Sequence, residues 1–416
     1  MGRYRVGGWS ERGSIRRGNR RASGSRHWYV YAMRILVTST SGTGHLHPIV
    51  PLAQELLSAG HEIAWATAAD ACGAVERFGF RAFPVGISHT ERTAMFLATR
   101  LTELFSLPPR AQRAFGLPIM FGEIAAPAMY DDLVSVFDHY RPQLVIHEVC
   151  ELAAAPIATK REIPHVSIGF GVAFSDELLE AVLLAVGPTW ERQKLTPTAP
   201  DFHGQLLLHP FPRSMDTPRA DGPSGEMRPL SYDGAASMAE PEWADRFGKE
   251  RPGVYVTFGT EMGAFAPWSA VLEAVSELEV DVVATIGSQL DPTTLGSIPK
   301  NTRVERYVPQ SFLIERASVV VSHAGAGTVI AAASNGKPHL SIPISADNWE
   351  NADLLSRHNV GITIEADDRN ASSVARAITG LLNDRAVSAA ASIIKREFSA
   401  MQHPGALVTR LQQLTC

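Results

Sequence analysis

From residue 33 onward the apolar positions fall into two alternating kinds of run. RILVTST (34–40) is continuously apolar and β-branched, as strands covered on both faces of a parallel sheet are. A glycine-rich turn follows, apolar residues then recur at helical spacing over 49–59, and Gly60 stops that helix. EIAWAT (62–67), QLVIHE (143–148) and HVSIGF (165–170) read as further strands, which predicts one doubly wound α/β domain. VYVTFGT (254–260), DVVATIG (281–287), SVVVSHAG (318–325) and HLSIPI (339–344) repeat the alternation and predict a second domain of the same class. Between the two series, residues 196–253 are rich in proline and poor in periodic apolar positions. The expected layout is therefore a first domain at 33–214, a linker at 215–250, a second domain at 251–397, and a last helix within 398–416 that packs back on the first domain.

A chain of 416 residues that is 45% hydrophobic supplies two full-sized cores and excludes both a disordered chain and a small disulfide scaffold. Cys72, Cys150 and Cys416 are too widely spaced for a redox pair or a zinc knuckle, and an odd number suits a reducing cytoplasm. No window reaches the ~20 apolar residues of a membrane span, the nearest being the leucine-rich stretch at 178–186. Residues 1–32 carry eight arginines against Glu11, a local +7 that leaves −12 for the remainder of a chain whose total is −5. We read this arm as a disordered extension upstream of a start at Met33, not as a targeting peptide, because a strand pattern begins at once after Met33. An acidic remainder is a poor partner for nucleic acid.

Two glycine-rich loops carry the candidate chemistry, each directly after a strand. In SGTGHLHP (41–48), Gly42 and Gly44 begin a dinucleotide fingerprint, but His47 stands where its third glycine belongs and no carboxylate ends the second strand. The loop presents His45 at a strand's carboxyl end, where a neutral imidazole could take a proton from an alcohol. LVIHEVCEL (144–152) ends another strand with Glu148, followed by Glu151. Glu148 is the expected partner of His45, its structural alternative being a cap on the next helix. SHAGAGT (322–328) opens a helix with small residues that let main-chain N–H groups close on a phosphate, and with no lysine for a Walker loop. Met95, Phe96, Leu101, Leu104, Phe105, Phe115, Met120 and Phe121 form an apolar stripe that reads equally as plain core or as the wall of a pocket for a bulky ligand.

RYVPQSFL (306–313), SHAGAGT and PISADNWENADLL (343–355), taken in order with GHLHP (44–48) and VYVTFGT, resemble the motifs of two-domain GT-B glycosyltransferases, in the branch that decorates natural products. The resemblance covers 33–416 and implies two Rossmann-like domains facing across a cleft. It implies an inverting, metal-independent hexosyltransferase that uses an NDP-sugar as co-substrate, with no further cofactor, and a hydroxyl of a hydrophobic small molecule as acceptor. Carried over, it makes His45 the general base and Glu148 its orienting carboxylate. It makes Thr260, His323, Gly325, Ala326, Gly327 and Thr328 the diphosphate site, Tyr307 and Val308 the nucleobase site, and Asp347 and Asn348 the sugar site. Phe96, Phe105, Phe115, Met120 and Phe121 become the acceptor pocket. Glu148 and Asn348 depart from the commoner Asp and Gln. Ala331 stands where ribonucleotide-specific relatives carry a glutamate, which points to a dTDP-sugar. The chain contains no D-x-D for a divalent metal. A sugar-nucleotide epimerase and a non-catalytic nucleotide-sugar-binding homologue are the rival readings.

Overall fold

The computed structural model describes residues 32–215, 223–233, 238–259, 263–287 and 290–415. Residues 1–31 and Thr260, both assigned roles from the sequence, lie outside them.

The first sheet is parallel throughout, with strand order β3-β2-β1-β4-β5-β6-β7. Its strands are β1 (Arg34–Thr38), β2 (Glu62–Thr67), β3 (Arg81–Pro84), β4 (Leu144–Glu148), β5 (His165–Ile168), β6 (Leu206–His209) and β7 (Ser224–Glu226). The second, also parallel, runs β10-β9-β8-β11-β12-β13, from β8 (Gly253–Thr257), β9 (Asp281–Thr285), β10 (Thr302–Glu305), β11 (Val319–Ser322), β12 (His339–Ser341) and β13 (Gly361–Thr363). Ile35, Leu36, Val37, Leu144, Val145 and Ile146 are all fully buried, which is why both central strands read as unbroken apolar runs. In each sheet the strand order reverses direction next to the first strand, between β1 and β4 and between β8 and β11. Ligands of open α/β sheets bind at the carboxyl ends of the strands flanking such a reversal. The loops that carry His45, Glu151, Gly259 and His323 begin there, after β1, β4, β8 and β11.

The chain crosses between the two cores more often than a single linker at 215–250 requires. After β6, Phe211 and Met215 pack into the second core beside Phe398 and Met401, and β7 then returns to the first sheet. Helix Arg385–Ala400 stays in the second core up to Met401, so the boundary drawn at 398 falls inside a helix. Only then does helix Pro404–Gln413 bury Leu407 and Leu411 against the first sheet's core.

Candidate functional site

The loop after β1 leaves the sheet through buried Ser39, Thr40 and Ser41, turns at Gly42 (φ 127°), and carries His45 on the short helix Thr43–Leu46. His45 Nδ1 lies 3.1 Å from Glu148 Oε1 at the end of β4. The same oxygen accepts from the Thr40 N–H (3.2 Å) and hydroxyl (2.9 Å), and Oε2 accepts from the Cys150 N–H at 2.5 Å. Burial pushes the Glu148 carboxyl up, but the charge and hydrogen bond of His45 together with these N–H groups outweigh it, and the group ends below the usual carboxylate range. An ionised carboxylate can only accept, so Nδ1 donates to it, and in the uncharged ring Nε2 is the nitrogen that holds the lone pair. Phe170 meets the His45 ring edge-on at 4.9 Å and Phe121 lies 5.6 Å away, which fixes the ring's orientation.

The helix-capping role considered for Glu148 belongs to Glu151. Its Oε1 accepts from the N–H groups of Ala153 (2.7 Å) and Ala154 (3.1 Å), and its Oε2 from the Thr38 hydroxyl at 2.5 Å. Burial pushes its carboxyl up to about 7. Cys150 stands close enough to His45 and Glu148 for the three to hold a metal ion. Burial raises its thiol well above the ordinary range, however, so the sulfur is a neutral thiol and a weak ligand at neutral pH.

Across the cleft, the loop after β11 places His323 between two glycines. A Cβ on Gly325 would lie 2.4 Å from His323 Nε2, and one on Gly259 3.0 Å from Cε1, so only glycine fits at either position. Burial lowers the His323 imidazole to about 4, and it is neutral at pH 7, with no hydrogen-bond partner for its Nδ1 among the described residues. Helix Ala326–Ser334 begins beside it with no side-chain cap and no acidic residue in its first turn, leaving the first N–H groups free to meet an anion. A cavity of about 410 Å³ opens over this helix, lined among others by His323, Gly327, Thr328, Ala331, Gln310 and Asp347. From the first half, Thr43, Gly44 and Phe170 line it too, so His45 stands one ring away from the donor side. The Gly171 main chain packs against Asp347, where an added Cβ would lie 3.0 Å from Oδ2.

Several expected residues sit elsewhere. Asn348 is buried and spends its Oδ1 on the N–H groups of Ile344 (3.1 Å) and Ser345 (3.0 Å), shaping the turn that presents Asp347. The Val308 side chain is packed in the core with Leu313 and Ile314, which leaves its main chain as the part expected to read the base. Tyr307 is half exposed, does not line the cavity, and donates its hydroxyl to the Asp233 carbonyl at 2.5 Å. Of the apolar stripe, Phe121 reaches His45, and Phe96 is buried beside Phe115 (6.3 Å). Phe105 is 71% exposed on helix His89–Ser106, which removes it from any pocket wall. Neither the large cavity nor a small one of about 30 Å³ beside Phe170 is lined by any of the five, Met120 included. Sequence reasoning missed Gln310, although it stands in the quoted RYVPQSFL. It also missed the cavity wall at 229–233, which carries no motif at all.

Comparison with known proteins places this geometry. Residues 54–259 match the N-terminal domain and residues 269–414 the C-terminal domain of the family described as erythromycin biosynthesis protein CIII-like. L-demethylnoviosyl transferase of Streptomyces niveus is 30% identical over 86% of this chain and 92% of its own length. The chain belongs to the EryCIII-like family. Like the 10-deoxymethynolide desosaminyltransferase of Streptomyces venezuelae, 26% identical over 92% of this chain and 97% of its own, it is a glycosyltransferase of natural-product biosynthesis. Among solved structures, the EryCIII-like chain is similar to SnogD from Streptomyces nogalater (TM-score 0.74, 27% identity, 93% of this chain and 100% of that one). It is also similar to VinC in complex with dTDP (TM-score 0.77, 25% identity, 92% and 99%). The fold is GT-B. Among the described residues no helix is long and apolar enough to cross a membrane.

Proposed function

We propose that this glycosyltransferase moves a sugar from a dTDP-sugar to a hydroxyl of a hydrophobic small molecule, with inversion, without a metal ion or other cofactor. His45 Nε2 takes the acceptor proton, and Glu148 holds the tautomer and stabilises the imidazolium. Asp347 orients the sugar, the Val308 main chain borders the base, and Thr260 and Thr328 add hydroxyls to the phosphates. The leaving diphosphate gains charge as its bond to the sugar breaks, and the helix amino end at Ala326–Ser334 with neutral His323 receives it. One observation carries the reading. The His45–Glu148 pair and the His323 loop occupy the strand reversals of the two sheets, on opposite sides of one cleft. Direct attack by the deprotonated hydroxyl inverts the anomeric carbon, since no second carboxylate nucleophile is needed. The dTDP preference rests on Ala331, which lines the cavity and cannot accept from a ribose hydroxyl. VinC was crystallised with the same nucleotide.

The test is steady-state kinetics of His45→Ala with a dTDP-sugar, alongside nucleotide titration. Turnover should fall by about 10²–10⁴-fold, the range for losing a general base, with dTDP affinity unchanged and EDTA without effect on the wild type. Wild-type turnover in the variant would remove His45 from the chemistry. Activity abolished by EDTA and restored by Mg²⁺ would overturn the metal-free reading. UDP binding as tightly as dTDP would remove the argument from Ala331.

A further inference from the structure

Arg92, on helix His89–Ser106, is the buried cation that the proposed chemistry leaves unused. It is 1% exposed, and its Nε and Nη1 have no hydrogen-bond partner among the described residues. Nη2 meets the His89 Nδ1 at 3.0 Å. No carboxylate among the described residues lies within ion-pair distance of it, and the nearest relevant charge, Glu148, is already held by His45, Thr40 and Cys150. Burial lowers its pKa, which measures how poorly the surroundings compensate the charge. A guanidinium kept from water without an anion is costly, and replacing such a group with an apolar one of similar size is often stabilising.

Its position says what would compensate it. The guanidinium carbon lies 4.4 Å above the Phe121 ring, and Phe121 lies 5.6 Å from the His45 ring, so cation, phenyl and proposed base follow one another along the acceptor side. Phe121 sits in the π-helical stretch Pro118–Ala125, a main-chain form found mostly at functional sites. The unpartnered guanidinium N–H donors beside an aromatic face suit a planar ligand bearing an anionic oxygen. We propose that Arg92 binds an acidic oxygen of the acceptor, a carboxylate, phenolate or enolate on the same skeleton as the hydroxyl that His45 deprotonates. The proposal rests on the acceptor-side reading of the His45 rim.

The test uses two probes that share one ring and one hydroxyl and differ only in charge, 3-hydroxy-2-naphthoate and 3-hydroxy-2-naphthamide, titrated by fluorescence at pH 7.5. Wild type should bind the carboxylate at least about tenfold more tightly than the amide. Arg92→Met should abolish that preference, keep dTDP affinity, and melt at the same or a higher temperature. Arg92→Lys, which keeps the charge but not the paired donors, should retain part of the preference, and it serves if the methionine variant does not fold. Equal affinities in the wild type, no binding of either probe, or a preference that survives Arg92→Met would overturn the proposal. So would a lowered melting temperature with lost dTDP binding, the mark of a structural arginine. A shifted pH profile with the preference intact would assign Arg92 to Glu148 instead. Turnover of His45→Ala separates the two readings, since failure there leaves the naphthoate comparison unaffected.

Discussion

At the scale of residues, Glu148 and Glu151 separate what the sequence could suggest from what only the fold decides. Glu148 ends β4 and Glu151 follows three positions on, and both are buried and hydrogen-bonded to main-chain N–H groups. Which one meets His45 depends on how the loop after β1 lies across the sheet, a contact over more than a hundred residues that no local pattern encodes. Glu148→Gln tests the assignment. Whichever way the amide is turned, the negative charge that stabilises the imidazolium is gone. With its NH₂ toward His45 it also donates to Nδ1 and moves the ring proton onto Nε2. The expected outcome in steady-state kinetics is a kcat lower by about 10²–10⁴-fold at nearly unchanged donor KM. A loss below about threefold would show that Glu148 does no more than hold the loop.

At the scale of elements, the central strands were legible and the edges were not. The central runs near β1, β2, β4, β5, β8, β9, β11 and β12 are buried over nearly their whole length. By contrast β3, β7, β10 and β13, the edge strands, are only partly covered, so periodicity does not distinguish them from loop. The strand reading also ran too far at the ends. VYVTFGT was taken to 260, yet β8 stops at Thr257, and SVVVSHAG was taken to 325, yet β11 stops at Ser322. The residues past the last ladder bond are the ones that turn away to build the cradle, so function itself shortens the strand. Gly325 shows how tightly that turn is built. Gly325→Ala must displace the His323 ring, an overpacking cost of about 1–3 kcal/mol in folding stability, and with His323 moved out of the cradle dTDP binding by calorimetry should weaken. Gly327→Ala meets nothing within 4 Å and should leave the melting temperature unchanged, whereas Gly325→Ala should lower it. Equal melting temperatures and unchanged dTDP affinity in Gly325→Ala would remove the clamp argument.

At the scale of the whole molecule, the two halves share an acid sensitivity that follows from buried imidazoles. In the first, burial and the neighbouring His165 and His203 hold His147 well below its ordinary value, and burial lowers His165 and His203 to about 4. In the second, burial lowers His323 to about 4 and His339 to about 3. The unfolded chain takes up protons near 6.5 and the folded chain does not, so these groups stabilise fully above about pH 6.5. That stability is lost as pH falls toward 4. A displacement from 6.5 to about 4 amounts to roughly 3 kcal/mol per site at pH 4, against a typical total of about 5–15 kcal/mol. Glu151 acts in the opposite sense. Raised to about 7, it favours the fold below pH 4.5 and ceases to do so as pH rises through 7. One carboxyl against five imidazoles leaves the net slope positive between pH 4.5 and 6.5. The melting temperature should therefore reach its plateau near pH 7 and fall steeply below 6.5, with unfolding complete before pH 4. His165→Asn should flatten that fall. A scanning fluorimetry series from pH 4 to 8 checks both expectations, and a melting temperature constant from pH 7 down to 4.5 would mean that these histidines find proton-accepting surroundings that the folded chain does not provide.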